Sequence, residues 1–143
     1  MRVRTGRGRR GPSRAPGNDL TRIRFDCWQP DQPSRLLGLA EAEAAYAALP
    51  PTASATFSWN DGGDEVVIIG VGEDWSTATM IWDGTFYDLE ASEAEGERDI
   101  VLCGQVTEYP ERLLLPRERG VELLREADAD FAALADRYTW VER

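Results

Sequence analysis

The sequence contains no histidine and no lysine, and all sixteen of its basic residues are arginine. These absences exclude a histidine general base, a Ser-His-Asp or Cys-His nucleophile, an imidazole metal ligand, and a Schiff-base or P-loop lysine. The two cysteines, Cys27 and Cys103, are too few for a disulfide framework or a cysteine-rich metal site. We therefore expect both thiols to be buried and reduced, and we expect no bound metal or cofactor.

Long apolar runs are also missing. No stretch approaches the roughly 20 apolar residues of a membrane span, and no apolar segment follows the basic first residues as in a secretory signal. These two absences predict a cytoplasmic protein that does not enter the membrane.

The charges that are present are unevenly distributed. Residues 1–18 hold six arginines and no acid, whereas residues 19–143 hold ten arginines and all 26 acidic residues, a net charge of −16. The first segment is rich in Arg, Gly and Pro and has little to bury, so it is predicted to be a disordered tail. Residues 19–143 are long enough for a single domain with its own core. We expect a domain this acidic either to repel nucleic acid and attract basic protein partners, or to carry its charge simply for solubility.

Hydrophobic periodicity predicts seven strands and two helices within the domain. Alternating or continuous apolar residues indicate strands at 23–27, 53–59, 66–71, 78–82, 85–89, 100–106 and 138–141. Apolar residues at three- and four-residue spacing indicate helices over 36–49 and 116–134, each bounded by proline. The order β-α-β-β-β-β-β-α-β predicts an α+β fold, a mostly antiparallel β-meander sheet with two amphipathic helices packed on one face.

Acidic and aromatic residues in the predicted turns are the candidate contacts for a protein partner. Trp75 follows two acids in a turn, so we expect its ring to be exposed as an interface anchor. The segment 90–99 carries five acids against one arginine and is predicted to be a loop, which is either a solvated spacer or an acidic contact surface. The candidate partner-binding residues are therefore Glu73, Asp74, Trp75, Glu93, Glu95 and Glu97.

The same composition leaves two other functions open. An α+β module of this size could bind a peptide or a small molecule. Alternatively, carboxylates such as Asp61 and Glu65 could supply the acid and base of a hydrolase. Because acids in turns more often form the turn itself, we predict a protein without catalytic residues.

The order and spacing of several short motifs resemble the immunity protein 1 family of bacterial polymorphic toxin systems. The resemblance covers roughly Leu20 to the C-terminus. The motifs that carry it, in chain order, are Arg35-Leu36-Leu37 before an Ala/Glu-rich helix, Trp82-Asp83-Gly84, Gly104, Glu108-Tyr109-Pro110, Leu115-Pro116 before a helix that reaches Phe131, and Trp140 in a terminal strand.

This resemblance implies a non-catalytic antitoxin that binds and blocks the toxic domain of a cognate secreted protein. Toxins paired with this family are commonly nucleic-acid deaminases, so the expected partner is a basic protein domain. The resemblance does not assign contact residues.

Overall fold

The structure, a computed structural model, describes residues 21–143, so the predicted tail at 1–18 lies outside the described residues. The described chain forms ten strands: β1 (Ile23–Trp28), β2 (Gln32–Leu37), β3 (Ser54–Asn60), β4 (Val66–Val71), β5 (Trp75–Trp82), β6 (Thr85–Leu89), β7 (Glu97–Leu102), β8 (Gln105–Pro110), β9 (Leu115–Pro116) and β10 (Trp140–Glu142). It also forms three α-helices: α1 (Leu39–Ala48), α2 (Arg119–Ala129) and α3 (Phe131–Arg137). A short 3-10 helix lies at Glu111–Leu113.

Most of the strands belong to one antiparallel sheet. Within residues 21–143 its order is β10-β6-β5-β4-β3-β1-β2, and β9 pairs with the start of β5. Strands β7 and β8 form a separate two-stranded hairpin. The predicted α+β class and the predominantly antiparallel sheet are therefore confirmed.

Side-chain alternation gives the large sheet two different faces. The helix face carries large buried apolar residues, including Phe57, Ile69 and Trp140, and packs against the helices. We call the other side the hairpin face, because the β7–β8 hairpin covers part of it: the Gly104 amide donates to Ser54 Oγ at 3.2 Å. The core therefore lies between the sheet and the helices, and the hairpin face is left with a more polar surface.

The predicted start of the first helix was wrong. Leu36 and Leu37 end β2, and α1 begins only at Leu39. The error came from Pro33, because a proline is expected to end a strand but this one lies within β2. Because β2 is at the edge of the sheet, a proline without an amide hydrogen is tolerated on its open side.

The second predicted helix is divided into two. The backbone of Asp130 is extended, with φ −165° and ψ 98°, so α2 ends at Ala129 and α3 begins at Phe131. The Asp130 carboxylate accepts a hydrogen bond from the Ala133 amide at 3.2 Å and caps the new helix. The hydrophobic stripe continues through the break, because Phe131 and Leu134 are both buried in the core.

The strand predicted over 100–106 was also wrong. Cys103 and Gly104 form a tight turn with φ angles of 52° and 78°, which separates β7 from β8. Cys103 is consequently exposed and not buried as expected, whereas Cys27 is buried. Both cysteines are free in the structure.

A buried tyrosine joins α1 to the segment before α2. The Tyr46 hydroxyl donates a hydrogen bond to the backbone carbonyl of Arg117, and the Arg117 guanidinium donates to the Leu49 carbonyl at 2.8 Å. The same guanidinium reaches the Gly72 carbonyl in the β4–β5 turn. Three segments that are distant in sequence are thus held together at one end of the sheet.

This tyrosine makes stability sensitive to high pH. Burial raises the pKa of Tyr46 above its ordinary value of about 10. Above about pH 10 the folded protein therefore retains a proton on this hydroxyl that the unfolded chain releases. The resulting stability is fully present below about pH 10 and is lost as the pH rises further. We expect Tyr46→Phe to flatten the decline in the free energy of unfolding above pH 10, measured by urea denaturation between pH 7 and 11. An unchanged slope would contradict this prediction.

Candidate protein-binding site

A cleft lies between the β7–β8 hairpin and the uncovered part of the hairpin face. Its volume is about 650 Å³, which is in the range of small-ligand and side-chain binding pockets. We call it the hairpin cleft. Its floor comes from the polar side of the central strands and its mouth from neighbouring elements: Thr56, Thr77, Thr79 and Asp88 on the floor, and Phe86, Tyr109 and Arg143 at the mouth.

Cross-strand register explains why these polar residues meet. Thr77 lies opposite Gly70, and Thr79 lies opposite Ile68 on one side and Asp88 on the other. Residues directly opposite in neighbouring strands place their side chains on the same face. Thr77, Thr79 and Asp88 are all largely buried, so the cleft has a polar floor within a mostly apolar wall.

Asp88 is the central charged group of this floor. Its carboxylate accepts a hydrogen bond from Thr79 Oγ1 at 2.8 Å. It also forms a two-point ion pair with Arg143, in which Nη2 lies 2.8 Å from Oδ1 and Nε lies 3.2 Å from Oδ2. Asp88 is 8% exposed, whereas the Arg143 side chain is 53% exposed. The carboxylate is thus part of the sheet, and the guanidinium reaches it from the solvent side.

Two aromatic rings flank this ion pair. The Arg143 guanidinium carbon lies 5.4 Å from the centre of the Phe86 ring, a cation–π distance. On the hairpin side, Tyr109 is half-buried and lines the cleft together with Thr77. Burial, and then the negative charge of Asp88, raises the pKa of Tyr109, so this hydroxyl stays protonated and available as a donor.

A second feature is an acidic surface along the hairpin and the segment before it. We define the hairpin acidic surface by its five exposed carboxylates: Glu93, Glu95, Glu97, Asp99 and Glu108. No arginine within residues 21–143 forms an ion pair with any of them. Asp99 lies directly opposite Glu108 in the hairpin, and a shared hydrogen bond and charge repulsion with Glu97 raise the pKa of Glu108. The negative charges are therefore close enough to influence one another.

The β4–β5 turn lies near one end of this surface. Glu73 and Asp74 are exposed, and Asp74 forms an ion pair with Arg98 of β7. Together with Asp99 they line a groove of about 470 Å³. The structure therefore brings Glu73 and Asp74, which are distant in sequence from Glu97, to the same end of the hairpin.

Trp75 is a correction to the sequence analysis. It is the first residue of β5, only 3% exposed, and not an exposed turn residue. Its ring lies against Gly72, where an added Cβ would be only 2.4 Å from the indole. The prediction failed because the turn is shorter than expected and ends at Asp74. The Trp75 ring thus packs against the β4–β5 turn and is not exposed for contact with a partner.

The acids considered for catalysis lie in the turn between β3 and β4. Asp61 Oδ1 accepts from the Gly63 amide and Asn60 Oδ1 from the Gly62 amide, each at 2.8 Å, as in ordinary Asx turns. Glu65 is 4% exposed. No group of three or more Cys, Asp or Glu side chains within residues 21–143 is arranged to hold a metal ion.

Sequence reasoning missed the residues of the hairpin cleft. Thr77 and Thr79 alternate with apolar residues, a signal that could have placed them on a shared polar face. The position of Tyr109 depends on where the hairpin docks, which no local pattern encodes. The pattern around Asp88 indicates only a strand that returns after a turn.

Comparisons with known proteins add no identification. A scan against protein-family models and a search of curated proteins both gave no match. The resemblance to the immunity protein 1 family therefore rests on the sequence motifs described above. No helix within residues 21–143 combines the length and apolar character needed to cross a bilayer.

Proposed function

We propose that this chain is a cytoplasmic immunity protein that binds and neutralises the toxic domain of a cognate polymorphic toxin. The proposed toxin is an enzyme that acts on nucleic acid, such as a deaminase. The observation that carries the proposal is the hairpin acidic surface, whose exposed carboxylates have no arginine partner in the described chain. The motif order that resembles the immunity protein 1 family supplies the class of partner.

Most arginines of the described domain pair with acids outside the hairpin acidic surface, and Arg98 of the hairpin pairs with Asp74, so they leave its five carboxylates without an arginine partner. Exposed or half-exposed arginines pair with acids close to them: Arg24 with Asp26, Arg112 with Glu90, Arg119 with Glu122, Arg125 with Glu43, and Arg137 with Glu126. Positive charge is therefore compensated locally, while the hairpin retains an excess of negative charge. Such an excess creates a potential that attracts a basic surface over a distance of about one Debye length.

Charge complementarity explains how binding would neutralise the toxin. An enzyme acting on nucleic acid presents a positively charged surface to the phosphate backbone. The hairpin acidic surface offers carboxylates to the same positive charges and so competes with the substrate. Electrostatic attraction accelerates the encounter, and desolvated contacts then slow dissociation.

The first test is capture of the partner. The tagged full chain is incubated with the cytosol of its native cells at low and high salt, and bound proteins are identified by mass. We expect one stoichiometric partner, the toxic domain of a larger exported protein, to be released by high salt. The purified partner should then modify nucleic acid, and the chain should inhibit this activity. A partner without such activity, or one held equally at both salt concentrations, would contradict the proposal and favour a general binding module.

A charge-neutralised variant tests which surface makes the contact. Replacing Glu93, Glu95 and Glu97 with glutamine is expected to lower the association rate with the captured partner by roughly three- to ten-fold at low salt. The difference should nearly vanish at about 0.5 M salt, because the charges are then screened. Stopped-flow or surface-binding kinetics across a salt series measures both effects.

The matched control changes net charge equally on the other side of the sheet. Ala44, Ala47 and Ala48 are accessible on α1, and α1 packs with the helices on the helix face. Lysine at these three positions raises the net charge by three, the same change that the three glutamine substitutions make by removing negative charges. An equal loss of rate in both variants would show that only net charge matters and would rule out the hairpin acidic surface as the contact.

A further inference from the structure

We infer that the hairpin cleft is a receptor for an arginine side chain of the protein partner, and that Arg143 occupies this receptor in the free chain. The inference rests on the proposed function for the identity of the partner. The receptor itself follows from the contacts of Asp88, Thr79, Phe86 and Arg143.

The groups around the Arg143 guanidinium are those that recognise arginine. Asp88 offers both carboxylate oxygens, and Thr79 Oγ1 lies 3.3 Å from Nη2 as a further acceptor. The Phe86 ring lies beneath the guanidinium and is itself 41% exposed. Two-point carboxylate pairing with stacking on an aromatic ring favours the planar guanidinium over the compact ammonium of lysine.

The receptor and its present occupant are held very differently. Asp88 is fixed by strand pairing and by its bond with Thr79, whereas the long Arg143 side chain is about half in solvent. The backbone amide of Arg143 is separately bonded to the Phe86 carbonyl at 2.9 Å. The side chain can therefore rotate away without detaching the backbone. A buried carboxylate left alone is costly, so a second cation would have to take its place.

The charge of the cleft selects a cationic occupant over an anionic one. Three carboxylates, Asp88, Glu108 and Glu142, and two arginines, Arg112 and Arg143, line it. Arg112 is already paired with Glu90, which is outside this lining set, at 3.6 Å. When the Arg143 guanidinium moves out, the remaining lining is dominated by negative charge. The adjoining cavity of about 650 Å³ provides room for an incoming side chain.

The receptor is tested with acetyl-arginine amide as the probe, titrated by NMR or calorimetry. Removing the internal competitor with Arg143→Ala is expected to tighten binding of the probe about ten-fold relative to the unchanged chain. Adding Asp88→Asn to this variant removes the charge but keeps the side-chain shape, and should weaken binding at least ten-fold. Acetyl-citrulline amide, the uncharged analogue of the probe, should bind about ten-fold less tightly than the arginine probe.

A second variant guards against misfolding of the Asp88 variant. Phe86 is exposed, so Phe86→Leu leaves the core intact. In the Arg143→Ala chain this substitution should weaken binding of the arginine probe by about two- to five-fold. Equal affinity of the unchanged chain and the Arg143→Ala chain would overturn the inference. So would tighter binding of an anionic probe, acetyl-aspartate amide, to the unchanged chain.

Failure of this inference is distinguishable from failure of the proposed function. If the captured toxin is inhibited but neither the probe nor the Asp88→Asn variant shows an effect, the receptor is wrong and the immunity function stands. If the probe binds as expected but the captured partner is not a nucleic-acid enzyme, the receptor stands and the proposed function is wrong.

Discussion

Replacing Trp140 with alanine is expected to lower the free energy of unfolding by about 3–5 kcal/mol. The side chain is completely buried, and its indole Nε1 donates to the Leu134 carbonyl at 3.3 Å. Trp140 lies on β10, which pairs with β6 at one edge of the sheet, so the indole joins this edge to α3. Its removal leaves a large cavity and also takes away the hydrogen bond to the Leu134 carbonyl.

Urea denaturation followed by far-UV circular dichroism measures this loss. Trp140→Phe keeps much of the ring volume and is expected to cost less than half as much, which provides a measurable variant if the alanine protein does not fold. Phe86→Ala, on the opposite face and 41% exposed, is the control and should change stability by less than about 1.5 kcal/mol. Equal losses at Trp140 and Phe86 would show that the indole is not part of the core.

Gly120→Ala is expected to destabilise the protein by about 1–3 kcal/mol, although alanine is the better helix former by about 1 kcal/mol. Gly120 lies in the first turn of α2, where the helix backbone approaches the sheet. A Cβ added there would be 2.3 Å from the Tyr46 hydroxyl and 2.7 Å from Cγ2 of Ile69. Packing and intrinsic helix propensity therefore predict effects of opposite sign, and the steric cost of packing outweighs the gain in propensity.

A double-mutant cycle isolates the cause of this effect. In a Tyr46→Phe background the nearest colliding atom is absent, so Gly120→Ala should cost measurably less than in the unchanged protein. Chemical denaturation of the four proteins gives the coupling energy. A stabilising effect of Gly120→Ala would mean that α2 lies farther from the sheet than the structure shows, and zero coupling would mean that Tyr46 is not the limiting contact.

Much of the large sheet was predictable because its pattern is local. The alternating apolar residues of β3 and the continuous run of β4 predict strands at the positions observed, and Asp83-Gly84 predicts the hairpin between β5 and β6. The errors lie at residues whose conformation or burial depends on neighbouring strands and turns as well as on the local sequence. Pro33 is accepted in β2 because that strand is at an edge, and Trp75 is buried because the β4–β5 turn ends one residue before it.

The hairpin acidic surface was likewise predictable only in part. The exposure of Glu93, Glu95 and Glu97 was predictable from an acid-rich segment, since so many like charges cannot be buried without partners. Their association with Glu108 depends on the pairing of β7 with β8, which periodicity misses because it joins the two strands into one. The turn at Cys103 is not marked by a strong hairpin signal, so the pattern alone does not reveal it.

The sequence by itself determined the α+β class, the acidic character of the domain and the exclusion of histidine and lysine chemistry, because these depend on composition and short-range periodicity. Only the tertiary structure decided that Asp88, Thr79 and Tyr109 line one cleft and that Gly120 lies against Tyr46. Residues that are far apart in the chain meet through sheet register, hairpin docking and helix packing. These arrangements are set by the burial of whole surfaces, and no short stretch of sequence encodes them.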